Sequence, residues 1–168
     1  MKRSKERQLT KEPSDTALLD RTDRRLLRLL QDDGRISNAD LAAAANVSPA
    51  TCHRRLARLF ADGFVRGVRA EVAPHRVERG TLVLVGVVLD RSTKDSFAAF
   101  EAAARKLRVV LDCHLVAGDF DYFLKIRVRD MADFNRLHGE QLIGLPGVRQ
   151  TRTFFVMKEV VDNAPLEF

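Results

Sequence analysis

The chain has 168 residues and a formal net charge of +6, with 29 Lys and Arg against 23 Asp and Glu. A hydrophobic content of 45% excludes a disordered chain, and the longest apolar run, Leu82 to Leu89, is far too short to span a membrane. Residues 1–79 hold 17 cations against 11 acids and residues 80–168 hold 12 of each, so the whole excess lies on the first half. Such asymmetry suggests that the first half meets a polyanion and the second does something else.

The first 15 residues, MKRSKERQLTKEPSD, are charged and lack the apolar centre of a signal peptide. Residues 1–17 read as a mobile basic arm that either touches DNA or is a plain solvated terminus. Leu26, Leu27 and Leu30 then mark a helix from about Leu19 to Asp32, with Arg24, Arg25 and Arg28 on its other faces. Asp20 and Asp23 have the spacing of a capping box, and Asp33-Gly34 ends the helix.

Ser37 or Asn38 is positioned to cap a second helix carrying Leu41 and four alanines. Asn46 suits a left-handed turn. Ser48-Pro49 starts a third helix, an N-cap followed by proline at the first helical position. It is expected to run to about Ala61, with Gly63 breaking it. Cys52, Leu56, Leu59 and Phe60 fall on one face; Ala50, Thr51, Arg54, Ala57 and Arg58 fall on the other, with His53 and Arg55 at the flanks. Phe64 to Val72 alternates around Gly67, as a short hairpin would. Two helices joined by a tight turn, a preceding helix and a hairpin make a winged helix-turn-helix.

Pro74 to Gly80 reads as a connector. Leu82–Leu89 is apolar on both faces, as expected of a strand covered on both sides. Phe97, Phe100, Ala104 and Leu107 mark a helix of about 14 residues. Val109–Val116 reads as a strand with Leu111, Cys113 and Leu115 inward, Gly118–Asp121 as a turn, and Tyr122–Val128 as the next strand. Asp130 caps a helix bearing Phe134, Leu137 and Gln141, and Val148–Val160 is the last strand. The order β-α-β-β-α-β is the ferredoxin-like arrangement. Its helices lie on one face of the sheet, so apolar residues on the other face need a second cover, most simply another subunit.

The stretch LDRTDRRLLRLLQDDGRISNADLAAAANVSPATCHRRLARLFADGFVRGVRAEVAP resembles the DNA-binding domain of the Lrp/AsnC (feast/famine) family. GDFDYFLKIRVRDMADF and LPGVRQTRTFFVMKEV resemble that family's ligand-sensing domain. The resemblance spans about Leu19 to Val160. It implies an α+β protein: an arm (1–17), a winged helix-turn-helix (18–73), a linker (74–80) and a ferredoxin-like domain for effector binding and oligomerisation (81–168). It further implies a cytoplasmic, nucleoid-associated prokaryotic transcription regulator without a cofactor. This would be a homodimer, extended to a tetramer of dimers, that binds double-stranded DNA and responds to an amino acid held between dimers.

The recognition helix reads base edges with its N-terminal residues while phosphate contacts set its register. Ala50 and Thr51 are short enough to let the helix sit deep and offer methyls to thymine. Arg54 suits guanine, His53 a base or phosphate, and Arg58 and the Ser48 hydroxyl a phosphate. The same cations also fit an ordinary solvated face. Cys52 reads as a small buried hydrophobe, with a redox role beside His53 as the alternative.

For the effector, Asp119 or Asp121 suits an ammonium. Exposed backbone N–H groups with Thr151 and Thr153 suit a carboxylate, and Gly118 permits close approach. The resemblance carries that role onto Gly118, Asp119, Asp121, Tyr122, Thr151 and Thr153. A plain Gly-Asp turn beside a threonine-bearing strand is the alternative. The four histidines lack ligand spacing and no phosphate-binding glycine motif occurs. Two alternatives stand beside this reading: a tetrapyrrole (siroheme) decarboxylase-like enzyme of the same architecture, against which the cationic helix argues, and an effector-independent architectural DNA-binding protein.

Overall fold

The computed structural model describes residues 19–90 and 95–168; the arm read over 1–17 lies outside them. The chain separates into two units, residues 1–69 with 163–168, and residues 70–162.

The first unit is built by local capping. Helix α1 (Arg21–Asp32) opens with a complete capping box: the Asp20 carboxylate accepts the Asp23 N–H at 2.8 Å, and the Asp23 carboxylate accepts the Asp20 N–H at 3.4 Å. Helix α2 (Asn38–Ala45) is capped by Ser37, whose Oγ accepts the Asp40 N–H at 3.1 Å. It ends at Asn46 in the left-handed region (φ 58°, ψ 46°), where the Val47 N–H returns to the Ala42 carbonyl at 3.0 Å. Helix α3 (Pro49–Ala61) starts at once from Ser48. Ala42 and Ala45 are buried against Leu26, Leu41, Cys52 and Leu59, so the small side chains of α2 let the helices close around one core.

Two expectations fail in this unit. Phe60 is exposed rather than inward: Leu59 beside it is fully buried, and Phe60 lies at the edge of the helix face centred on Cys52 and Leu59. Phe64–Val72 forms no ladder. Each arm of that alternation is only a few residues long, and Phe64, Val68 and Val72 are all exposed. Without a buried face, nothing fixes a hairpin register.

In the second unit a short 3₁₀ turn (Pro74–Val77) leads into β1 (Thr81–Leu89), α4 (Ser96–Ala104), β2 (Val110–Leu115), β3 (Tyr122–Val128), α5 (Met131–Leu137) with a π-turn (His138–Leu142), and β4 (Val148–Phe155). The order is the expected βαββαβ. The antiparallel sheet runs β2-β3-β1-β4, with β1 central. Val85 sits opposite Leu124 and Thr153, and Val87 opposite Tyr122 and Thr151. Val83, Val85, Val87 and Leu89 therefore point to one face, where Phe100, Ala104, Phe134, Leu137 and Leu142 cover them. On the other face Phe120, Phe123 and Phe154 cluster, with ring centroids 5.1–6.2 Å apart. Phe120 lies on Gly86: a Cβ there would come within 2.7 Å of the ring. The double-sided cover expected for β1 is thus helices on one face and phenylalanines on the other.

Helix α4 is nine residues long, shorter than expected. Past Ala104 the Lys106 and Leu107 N–H groups bond three residues back, tightening the chain into a turn from which Leu107 still reaches the core. β4 ends at Phe155 instead of Val160. The inward reading of Leu111, Cys113 and Leu115 is also overturned. β2 is the sheet edge: Cys113 and Leu115, opposite Leu124 and Tyr122, face the helix side and Leu111 falls at a register shift, yet all three remain exposed.

Candidate nucleic-acid interface and effector site

Ser48 spends its hydroxyl on structure. It accepts the Thr51 N–H at 3.2 Å and donates to Thr51 Oγ1 at 3.0 Å. Proline at the next position supplies no N–H and pre-sets the helical turn. The first turn of α3 is therefore rigid, and from it Ala50, His53 and Arg54 project into solvent, with Ala57 and Arg58 a turn later. Arg54 has no ion-pair partner among the described residues. Cys52 points the other way, fully buried, and burial pushes its thiol pKa up, which makes it an inert core side chain.

Two acids that sequence reading placed only in the cap turn out to grip this helix. The Asp23 side chain is 1% exposed. Its Oδ1 accepts Arg55 Nη1 at 2.9 Å, and its Oδ2 accepts Arg58 Nη2. Asp20 Oδ2 also accepts Arg55 Nη1, at 2.6 Å. The Asp23 N–H, and then Arg55, hold the Asp20 carboxyl below the usual carboxylate range. Arg55 is thus drawn inward, and Arg58 has one nitrogen committed with the side chain still 42% exposed. The signal was the matched spacing of Asp20 and Asp23 on one helix with Arg55 and Arg58 on another, but nothing local joins residues so far apart.

In the second unit the structure separates the candidate effector residues. Gly118 (φ 142°) and Asp119 are exposed at the loop between β2 and β3. Asp121 is buried: its Oδ2 accepts the Leu89 N–H at 2.9 Å, and its backbone N–H donates to Val87 at 2.8 Å. Tyr122 lies in the core, its ring 4.6 Å from Phe100 and its hydroxyl donating to Glu101 Oε1 at 2.9 Å. Burial, and then Glu101, push its phenol pKa well up. Thr151 and Thr153 are half-buried on the helix side of β4. Thr151 Oγ1 is 2.9 Å from His138 Nε2, a neighbour that sequence reading left unused. A cavity of about 340 Å³ beside β2 is lined by Glu101, Arg105, Cys113 and Tyr122 among others. Desolvation, and then Glu101, raise the Cys113 thiol pKa. Among the described residues no group of His, Cys, Asp or Glu is arranged to hold a metal. No described helix is long and apolar enough to cross a membrane.

A capped helix-turn-helix with an exposed cationic row, followed in one chain by a βαββαβ sandwich, defines a DNA-binding transcription regulator with a ligand-binding module. Comparison with known proteins agrees in both halves. Residues 19–66 match the winged helix-turn-helix DNA-binding family, and residues 82–166 match the Lrp/AsnC ligand binding domain. The chain is 49% identical over 145 residues to the leucine-responsive regulatory protein of Salmonella typhimurium, covering 86% of this chain and 88% of that one. Its fold matches a Neisseria meningitidis transcriptional regulator solved as an L-Met complex (TM-score 0.84, 34% identity, covering 89% of this chain and 97% of that one). It also matches a feast or famine regulatory protein from M. tuberculosis complexed with L-methionine (TM-score 0.78, 29% identity, 89% and 99% covered). The chain belongs to the Lrp/AsnC family of transcription regulators.

Proposed function

We propose that this regulator reads duplex DNA through α3 and senses an apolar amino acid through its second unit. Arg54 takes a guanine edge, Ala50 and Thr51 meet thymine methyls, and His53 takes a base or a phosphate. Arg58 and the rim of the Ser48 cap sit on the backbone. The functional limits proposed are 18–73, 74–80 and 81–168, whereas by contacts the chain divides at residues 69/70 with 163–168 grouped with the first unit; the cytoplasm is its proposed compartment. The observation that carries the reading is the solvent-facing row Ala50, His53 and Arg54 on a first turn capped by Ser48 and preset by Pro49.

The effector class follows from the leucine-responsive and L-Met-complexed relatives. In this chain the exposed Gly118-Asp119 backbone and carboxylate, with Thr151 and Thr153, supply polar contacts. Asp121 and Tyr122 shape the loop from within. Homodimers that pair open sheet faces, assembling further to a tetramer of dimers, would address half-sites about 34–36 Å apart or multiples of it. Effector binding alters regulation only by favouring one assembly over another.

The test is selection of duplexes from a random library by the full chain, followed by titration against salt. Specific binding that weakens by about 0.9 log units per log unit of salt for each phosphate contact is the expected result. Absence of an enriched sequence overturns the DNA reading. A thermal-shift panel of amino acids tests the sensor separately; stabilisation by leucine or methionine is expected, and a flat panel overturns the effector reading.

A further inference from the structure

The geometry points to Asp23, a residue of the first helix with no exposed surface to offer DNA, as the positioning residue that makes α3 selective. The assignment rests on the reading of α3 as the DNA-contacting helix.

Three observations carry it. First, the Asp23 carboxylate is buried and divides its two oxygens between Arg55 and Arg58, three residues apart on α3. Residues at that spacing share one helix face, so the acid grips α3 at two points along its length and fixes its rotation on α1. Second, Arg55 is committed to this grip: its Nη1 bridges Asp20 and Asp23, and its Nε is buried without a partner. Third, Arg58 gives Asp23 only one of its two terminal nitrogens and keeps an exposed edge. An arginine held at one side of its planar fork presents the remaining donors in a set direction. Arg54, with no described ion pair, is aimed by the same fixed rotation.

Asp23 therefore trades attraction for direction. Its charge offsets cations that would otherwise bind any phosphate, and its hydrogen bonds orient those same cations. Removing the charge while keeping the shape separates the two effects. In Asp23→Asn, Arg58 is released to seek phosphates wherever the helix lands, while Arg55 keeps only its bond to Asp20; backbone attraction carries no sequence information.

The experiment compares the full-length chain with Asp23→Asn on two duplexes of equal length, one enriched from a random library by the wild-type protein and one scrambled. Expected for Asp23→Asn is undiminished or tighter binding to the scrambled duplex. Its salt slope should steepen by about 0.9 log units, one increment for Arg58, and preference for the enriched duplex should fall tenfold or more. Equal weakening on both duplexes with an unchanged slope would make Asp23 merely structural and overturn the assignment; so would an unchanged preference. If Asp23→Asn loses its helical circular-dichroism signal, Asp23→Glu decides. Glu is the usual residue at this place in a capping box, so the cap and the charge stay while the carboxylate moves by one methylene from Arg55 and Arg58. Scrambled-duplex binding and slope should hold while preference falls several-fold; an undiminished preference overturns the assignment. A wild-type chain that fails to distinguish the duplexes refutes the reading of α3 itself, which the wild-type titration alone reveals.

Discussion

Each unit buries one aspartate almost completely, Asp23 in the helical unit and Asp121 in the sheet unit, and the two are answered by different chemistry. Asp23 is met by guanidinium groups from another helix more than thirty residues away. Asp121 is met by the Leu89 backbone N–H, at the end of the strand beside its own loop. The first arrangement joins two elements through charge, so its strength depends on how the helices sit. The second ties a loop to the strand beside it through a backbone N–H, so that contact depends on strand register rather than on how helices sit. A buried carboxylate is therefore no sign of function by itself; the identity of its partner tells which link of the structure it holds.

The largest change expected is one that removes the frame of either grip. Leu59→Ala in α3 deletes a fully buried side chain and should cost about 2–5 kcal/mol of unfolding free energy, measured by chemical denaturation. A loss below about 1 kcal/mol would mean that the helical core does not hold α3.

Next comes the comparison of the two acids. Asp121→Ala leaves the Leu89 N–H unanswered in the interior and should cost about 1–3 kcal/mol. Asp121→Asn, which keeps an acceptor oxygen for that N–H, should recover the share of the loss that the Leu89 hydrogen bond carries. If the Asn variant is as unstable as Ala, the Leu89 hydrogen bond is not what holds the loop.

A third variant sharpens the difference between scaffold and surface within α3. Arg54→Ala should leave the thermal midpoint within about 1 °C, since surface changes cost little. It should weaken binding to the enriched duplex by about 1–3 kcal/mol and relax one base position. An unchanged base preference removes Arg54 from the reading surface.

The smallest effect concerns pH. Asp20 is held below its ordinary value of 3.8, so its contribution is present above that value and is lost as pH falls through the lower folded value. Asp20→Asn keeps a capping side chain. The midpoint difference between it and the wild type should therefore vanish as the pH drops below 3.8. A constant difference across that range would show that the charge of Asp20 contributes nothing.

Legibility followed the range of the interactions. The caps at Asp20 and Ser48, the left-handed Asn46 and the βαββαβ order were readable because each is written within a few neighbouring residues or in a period of 2 or 3.6. The exposed edge of β2 was not, since the alternation of Leu111, Cys113 and Leu115 names a face without saying whether a helix reaches it. Arg55 read as a flank residue of the cationic helix, because its partners lie on α1 and no periodicity encodes that meeting. The effector loop was only half legible for a similar reason. Its glycine and acids mark a turn, but the turning of Asp121 toward Leu89 and of Tyr122 toward Glu101 depends on strand order and register.

The seat of Phe120 on Gly86 has a consequence for how this sequence can change. The space of a side chain at 86 is already filled by a ring from residue 120, with the clash at 2.7 Å. The two positions are thus a single compensating pair: enlarging one alone is penalised, and trimming the other restores room. In a double-mutant cycle, Gly86→Ala and Phe120→Leu should be strongly non-additive, the pair being more stable than the sum of the single losses implies. Among relatives that depart from glycine on the central strand, the loop ring should be the residue that departs with it.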